Sequence, residues 1–166
     1  MKHMGMRVLA IVAALLLLFA LCACNAEEQS GGEGAYYVTY KGTRICPGED
    51  AKGLLDAIGA PLSEKSNGNC GGQGEQMKYS YSSFDLYLLE NADGTVTVDQ
   101  ISLKDDLIET PEGIAIGSEK SEVLDAYGEP TETTAKTLIY RKGKQVLTFK
   151  LDGDAVSAID LMHATR

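Results

Sequence analysis

Four cysteines and two histidines are the residues best equipped for nucleophilic, redox or metal chemistry in these 166 residues. Cys22 and Cys24 fall at the end of an apolar N-terminal run, which leaves Cys46 and Cys70 in the polar body of the chain. Their separation, 24 residues, is unlike the Cys-x-x-Cys of a redox centre. In an oxidising compartment such a pair favours a structural disulfide. Closing a loop of that length is worth about 3 kcal/mol in the chain-entropy account. The alternative, a reactive thiol pair, is the weaker reading. His163 sits near the C-terminus and reads as a solvated tail residue, so a serine or thiol nucleophile has no evident base held by a third group. Asn91-Ala92-Asp93-Gly94 and Asp152-Gly153-Asp154 carry oxygens but lack the ligand spacing of a calcium loop. Gly71-Gly72-Gln73-Gly74 precedes a strand pattern rather than a helix, unlike a phosphate cradle. The expectation is therefore no catalytic residue, no metal and no cofactor.

Charge narrows the partners. The chain has 15 Lys and Arg against 24 Asp and Glu, a formal charge of −9, which argues against nucleic acid. Lys2 and Arg7 precede sixteen apolar residues, Val8 to Ala23, a pattern that describes a secretory signal peptide and is short for a spanning helix. The segment Leu21-Cys22-Ala23-Cys24 resembles the lipobox of bacterial lipoproteins, with Cys22 standing in a place where Ala, Ser or Thr is usual. That resemblance implies a signal peptide over 1–23, a diacylglyceryl group on Cys24 and an anchor at the extracytoplasmic face of the cell membrane. Two acyl chains hold stably where one is marginal. The exported part has 13 basic against 24 acidic residues, a formal charge of −11, so anionic headgroups repel it. Residues 24–35 are the expected linker, and Asn25 to Gly34 within them, polar and rich in Gly, suit a flexible tether reaching roughly 16–19 Å.

The body of the chain repeats. Ile45 to Pro61 aligns with Ile114 to Pro130 at an offset of 69, with identities that include Gly48/Gly117, Leu55/Leu124, Asp56/Asp125, Gly59/Gly128 and Pro61/Pro130. Each segment has one apolar stripe at helical spacing, ended by Gly and Pro. Ser118 is the expected N-cap of the second helix. Alternating runs then predict three strands per copy, with Gly-containing hairpin turns. Tyr81 matches Tyr140 at an offset of 59, so about ten extra residues, Ser63 to Gly74, form a loop in the first copy. Val98–Ile101–Leu103 and Val156–Ile159–Leu161 break phase alike, which predicts a β-bulge in each last strand. The expected fold is α+β, a tandem of two units, each a short helix followed by a three-stranded antiparallel meander. Repeat 1 spans 36–103, the connection 104–113 and repeat 2 spans 114–163, with a strand at Tyr36–Tyr40 opening the first.

This layout resembles two small families built on a helix-then-meander unit: the secreted β-lactamase inhibitory protein and the small outer-membrane lipoprotein of the barrel-assembly machinery. Neither supplies a binding residue that can be carried onto this chain. Eight tyrosines, with three Phe and no Trp, turn attention to contact surfaces, since Tyr is enriched in them. Tyr37 and Tyr87 are the expected exposed contacts, Tyr87 by its position opposite Phe84, Leu86 and Leu88. The functional expectation is a membrane-anchored, non-enzymatic module that binds a protein, either an envelope component or a secreted hydrolase held inhibited. The alternative is a binder of a small ligand or cell-wall fragment.

Overall fold

The computed structural model describes residues 34–69 and 74–164. The expected signal peptide 1–23, the expected lipidation site Cys24, most of the expected tether and Cys70 lie outside the described residues. The described residues belong to one compact unit.

Alternation of apolar and polar residues dictates the architecture. A ribbon of β1 (Val38–Tyr40) and β2 (Thr43–Ile45) is followed by a five-residue helix, α1 (Leu54–Ile58). Four strands come next: β3 (Ser63–Asn69), β4 (Glu75–Ser80), β5 (Phe84–Glu90) and β6 (Val96–Leu103). An eight-residue helix, α2 (Lys120–Tyr127), precedes β7 (Glu132–Thr134), β8 (Thr137–Lys142), β9 (Gln145–Asp152) and β10 (Ala155–His163). All eight long-range strands form one antiparallel sheet in the order β3-β4-β5-β6-β10-β9-β8-β7.

That order corrects the expected fold class. The described residues are mostly β, 48% strand against 10% helix, and among them there are no separate units with three-stranded meanders. Two causes are visible. The strands expected to finish separate meanders pair with each other, Ile101 with Leu161 and Leu103 with Ile159, and fuse everything into a single sheet. The segment expected as the loop 63–74 is largely β3, paired to β4 at Ser63–Ser80 and Lys65–Lys78. The expected strand Tyr36–Tyr40 is shorter, beginning at Val38. Ser118 does not cap α2. Glu119 does, in a reciprocal capping box with Glu122, while the Ser118 hydroxyl accepts from the Ala115 N–H at 3.1 Å. The bulges fall where the phase break puts them: Asp99 is the extra residue against Tyr87–Leu88, and Ser157 the extra residue beside Val156.

One face of the sheet is the core. Phe84, Leu86, Ile101, Leu147, Phe149 and Ile159 are fully buried there, beneath Ile58 of α1, Val123 of α2, and Val38 and Ile45 of the ribbon. Residues matched in the sequence make matched bonds. The Tyr81 hydroxyl donates to the Gly59 carbonyl at 2.9 Å, and the Tyr140 hydroxyl to the Gly128 carbonyl at 3.0 Å, each tying a strand to a helix end. A buried hydrogen bond is worth about 1 kcal/mol net. Tyr81→Phe and Tyr140→Phe are therefore each expected to lower the unfolding free energy by about 1 kcal/mol, read by urea titration. A loss in one variant only would mean that the two tyrosines are not equivalent.

Candidate functional site

The second face of the sheet is left open by every described helix and by the ribbon, whose buried residues all join the opposite core. Strand pairing arranges its side chains in rows. One row runs Lys78, Tyr87, Gln100, Met162, Val146, Arg141, from β4 across to β8, each residue registered with the next. The adjacent row runs Ser80, Asp85, Ser102, Asp160, Thr148, Ile139 over the same strands. The first holds Tyr87, Met162 and Val146 around Gln100 and is cationic at its ends. The second is a line of hydroxyls and carboxylates that ends in Ile139.

The carboxylates form a floor and the cations lie over them. Asp85 accepts from Lys78 Nζ at 2.7 Å and from Lys104 Nζ at 3.3 Å. Asp160 accepts from Lys150 Nζ at 2.9 Å and from the Ser102 hydroxyl at 2.6 Å, with Gln100 Nε2 farther off at 3.4 Å. The acidic side chains are 14% and 12% exposed, whereas Lys78, Lys104 and Lys150 are 29%, 36% and 56% exposed. Burial works against ionised Asp85, but hydrogen bonds from Lys78, Ser80 and Lys104 outweigh it and hold the carboxyl below its usual range. A carboxyl whose folded value lies below the unfolded one, about 3.9, stabilises the fold above that pH. The contribution disappears as pH falls through the folded value. Stability is thus expected to drop on acidification below about pH 4, and Asp85→Asn to shrink that drop. An unchanged pH profile in the variant would remove Asp85 from the account.

At the edges of the face Lys65 lies beside Lys78, Arg141 bonds Glu132 at 2.9 Å, Gln76 reaches Asp99, and Asp152 ends β9. The face thus carries five basic residues and five acidic ones. Residues 24–166 hold 13 basic and 24 acidic side chains; outside this face 8 and 19 remain, so their whole −11 lies elsewhere. Helix and loop residues such as Asp56, Glu109, Glu122 and Asp125 make the covered side acidic and exposed.

Tyr87 occupies the centre of the open face, half-buried, with Lys78 Nζ 5.6 Å from its ring centroid. Tyr37 does not join it. That ring lies under the Arg44 guanidinium, 4.5 Å from its centroid, and lines a cleft of about 380 Å³ with Thr39 and Leu107–Pro111. Cys46 is buried, and its sulfur accepts from Gln145 Nε2 at 3.0 Å. Burial pushes the thiol up against the opposing pull of that bond, which leaves it a poor nucleophile. Its expected partner, Cys70, is outside the described residues. His163 is not a solvated tail: it ends β10, half-buried, with its ring against Gly48. The Lys78–Asp85–Lys104 and Lys150–Asp160–Ser102 groups were missed in the sequence. The available signal was charge at the outward positions of strands that lie centrally in the sheet. Among the described residues, no three His, Cys, Asp or Glu side chains are grouped to hold a metal.

Fold and surface together define an antiparallel β protein whose eight-stranded sheet has one covered and one open face. No family model, curated protein or solved structure matches the chain.

Proposed function

We propose that the exported chain is a lipid-anchored, non-enzymatic binding module at the extracytoplasmic face of the membrane, and that it docks a protein on the open face of its sheet. The observation that carries this reading is the uncovered eight-stranded face, with Tyr87 and Met162 at its centre. Seven spacings of about 4.8 Å and about six residues along each strand give roughly 700 Å². A standard interface buries about 800 Å² per partner. The anchor rests on Leu21-Cys22-Ala23-Cys24. Tethering then raises the effective concentration of the face near membrane partners.

The test is affinity capture with residues 25–166, which contain the compact unit, from envelope and secreted fractions of the producing cell. The reading expects a protein that Tyr87→Lys fails to retain. A captured protein indifferent to that change would sink it. The anchor has its own check: radiolabelled fatty acid is expected on the full chain and absent from Cys24→Ser. Label persisting in the variant would remove Cys24.

A second reading, small-ligand binding, is favoured by a cleft of about 450 Å³ on the covered side. Leu55, Tyr79, Leu88 and Val96 line it, with Asp50 and Lys52 at its mouth. That volume is within the range of ligand sites. A thermal shift with muropeptides that Tyr79→Ala abolishes would favour this reading.

A further inference from the structure

We infer that the partner of the open face is itself acidic: a protein presenting carboxylates on two sides of an apolar patch. This rests on the reading of that face as a docking surface and specifies its chemistry. Three observations carry it.

The first is the vertical arrangement of charge. Asp85 and Asp160 lie low and have their oxygens engaged by Lys78, Lys104, Lys150 and Ser102, while the lysines stand above them. An ammonium has three N–H donors; Lys78 and Lys150 each give one to an aspartate, while Lys104 bonds both Asp85 and the Tyr81 carbonyl. A docking surface therefore meets donors first, although the protein as a whole is acidic. The second is spacing. Lys78 on β4 and Arg141 on β8 end one row, five strand spacings apart, roughly 24 Å, and Tyr87 and Met162 occupy the interval. The third is the distribution of net charge. With the face formally neutral and −11 carried by the rest, an acidic partner is repelled by every approach except this one. The same segregation selects one orientation of docking by like-charge repulsion as well as by attraction.

The test uses two random copolymers as probes, Glu/Tyr and Lys/Tyr, and vesicles containing anionic phosphatidylglycerol. Isotope-labelled residues 25–166 are titrated with each and followed by amide chemical shifts. The expected result is shifts centred on Tyr87, Gln100, Met162 and Lys150 with the Glu/Tyr probe alone, suppressed near 0.5 M salt, where screening acts within a few ångström. Removing a lysine alone would strand a half-buried carboxylate. The informative variants are therefore the charge-neutral doubles Lys78→Gln/Asp85→Asn and Lys150→Gln/Asp160→Asn, which leave net charge unchanged. Each is expected to weaken Glu/Tyr binding about tenfold or more with the amide spectrum otherwise preserved. Equal binding of the Lys/Tyr probe, shifts confined to the acidic side, or double variants that bind normally would each overturn the inference. Vesicle binding without copolymer binding would overturn it in favour of a membrane surface. If affinity capture finds a protein lost with Tyr87→Lys but retained by both double variants, docking stands and the acidic partner falls. If capture fails while the Glu/Tyr shifts appear, the docking reading is the one in trouble.

Discussion

Replacing Phe149 with alanine is expected to cost about 3–5 kcal/mol, a large share of the 5–15 kcal/mol that holds a domain together. The ring is fully buried in the centre of β9. Its centroid lies 5.3 Å from that of Tyr127 and 6.0 Å from that of Tyr140, the second pair edge-on at 83°. Ile159 and Leu138 flank it on the neighbouring strands. Truncation leaves a void that the two strands cannot close without breaking their ladder, so the cavity adds to the lost transfer energy. Leu107, 78% exposed, provides the contrast: Leu107→Ala is expected within about 0.5 kcal/mol of the parent. Urea unfolding followed by far-ultraviolet dichroism reads both. Similar midpoints for the two variants would mean that the core is not centred on β9.

The second large effect separates two glycines that the sequence treats as equals. Gly48 and Gly117 have φ of +89° and +95°, and their N–H groups donate to Val98 at 2.7 Å and Val156 at 2.8 Å, each beside a bulge. A side chain at either site costs roughly 1–3 kcal/mol in backbone strain. At Gly48 there is an additional obstacle, since a Cβ would stand 2.6 Å from Cδ2 of His163, whereas nothing lies within 4 Å at Gly117. Gly48→Ala is therefore expected to be the more destabilising, and His163→Ala to remove the excess when combined with it. Thermal unfolding of the two single variants and the double variant measures this. If Gly117→Ala matched Gly48→Ala, contact with His163 would be irrelevant.

Much of the strand content is legible because apolar alternation survives along β5, β6, β9 and β10, and because a one-residue phase error in two places can be absorbed only by a bulge. Gly59, Gly128, Tyr81 and Tyr140 are legible as a matched set, and their shared hydroxyl-to-carbonyl bond is the physical reason for the match. β3 is not legible: Ser-Glu-Lys-Ser-Asn-Gly-Asn has no apolar period, since an edge strand buries little and is held by the ladder of β4. The continuity of the sheet is also hidden. It depends on pairing β6 with β10, nearly sixty residues away, and the repeat in the sequence points instead to two self-contained halves. On the open face, Tyr87 was legible from alternation on one strand. The lysine–aspartate floor was not, because Asp160 meets Ser102 only through that same distant pairing, and Lys78, Asp85 and Lys104 meet only across three strands.

The proposed anchor on Cys24 would crowd copies in two dimensions, side by side, the geometry in which open sheets polymerise through their margins. This sheet terminates at both margins. β7 is three residues long and wholly exposed, too short to template a neighbour, and β3 brings Lys65, Gly68 and a fully polar composition to the other rim. Neither rim resembles the uncharged, strongly β-forming segments that stack into fibrils. Dense packing on a surface is thus compatible with copies that stay separate, each with its broad face unspent.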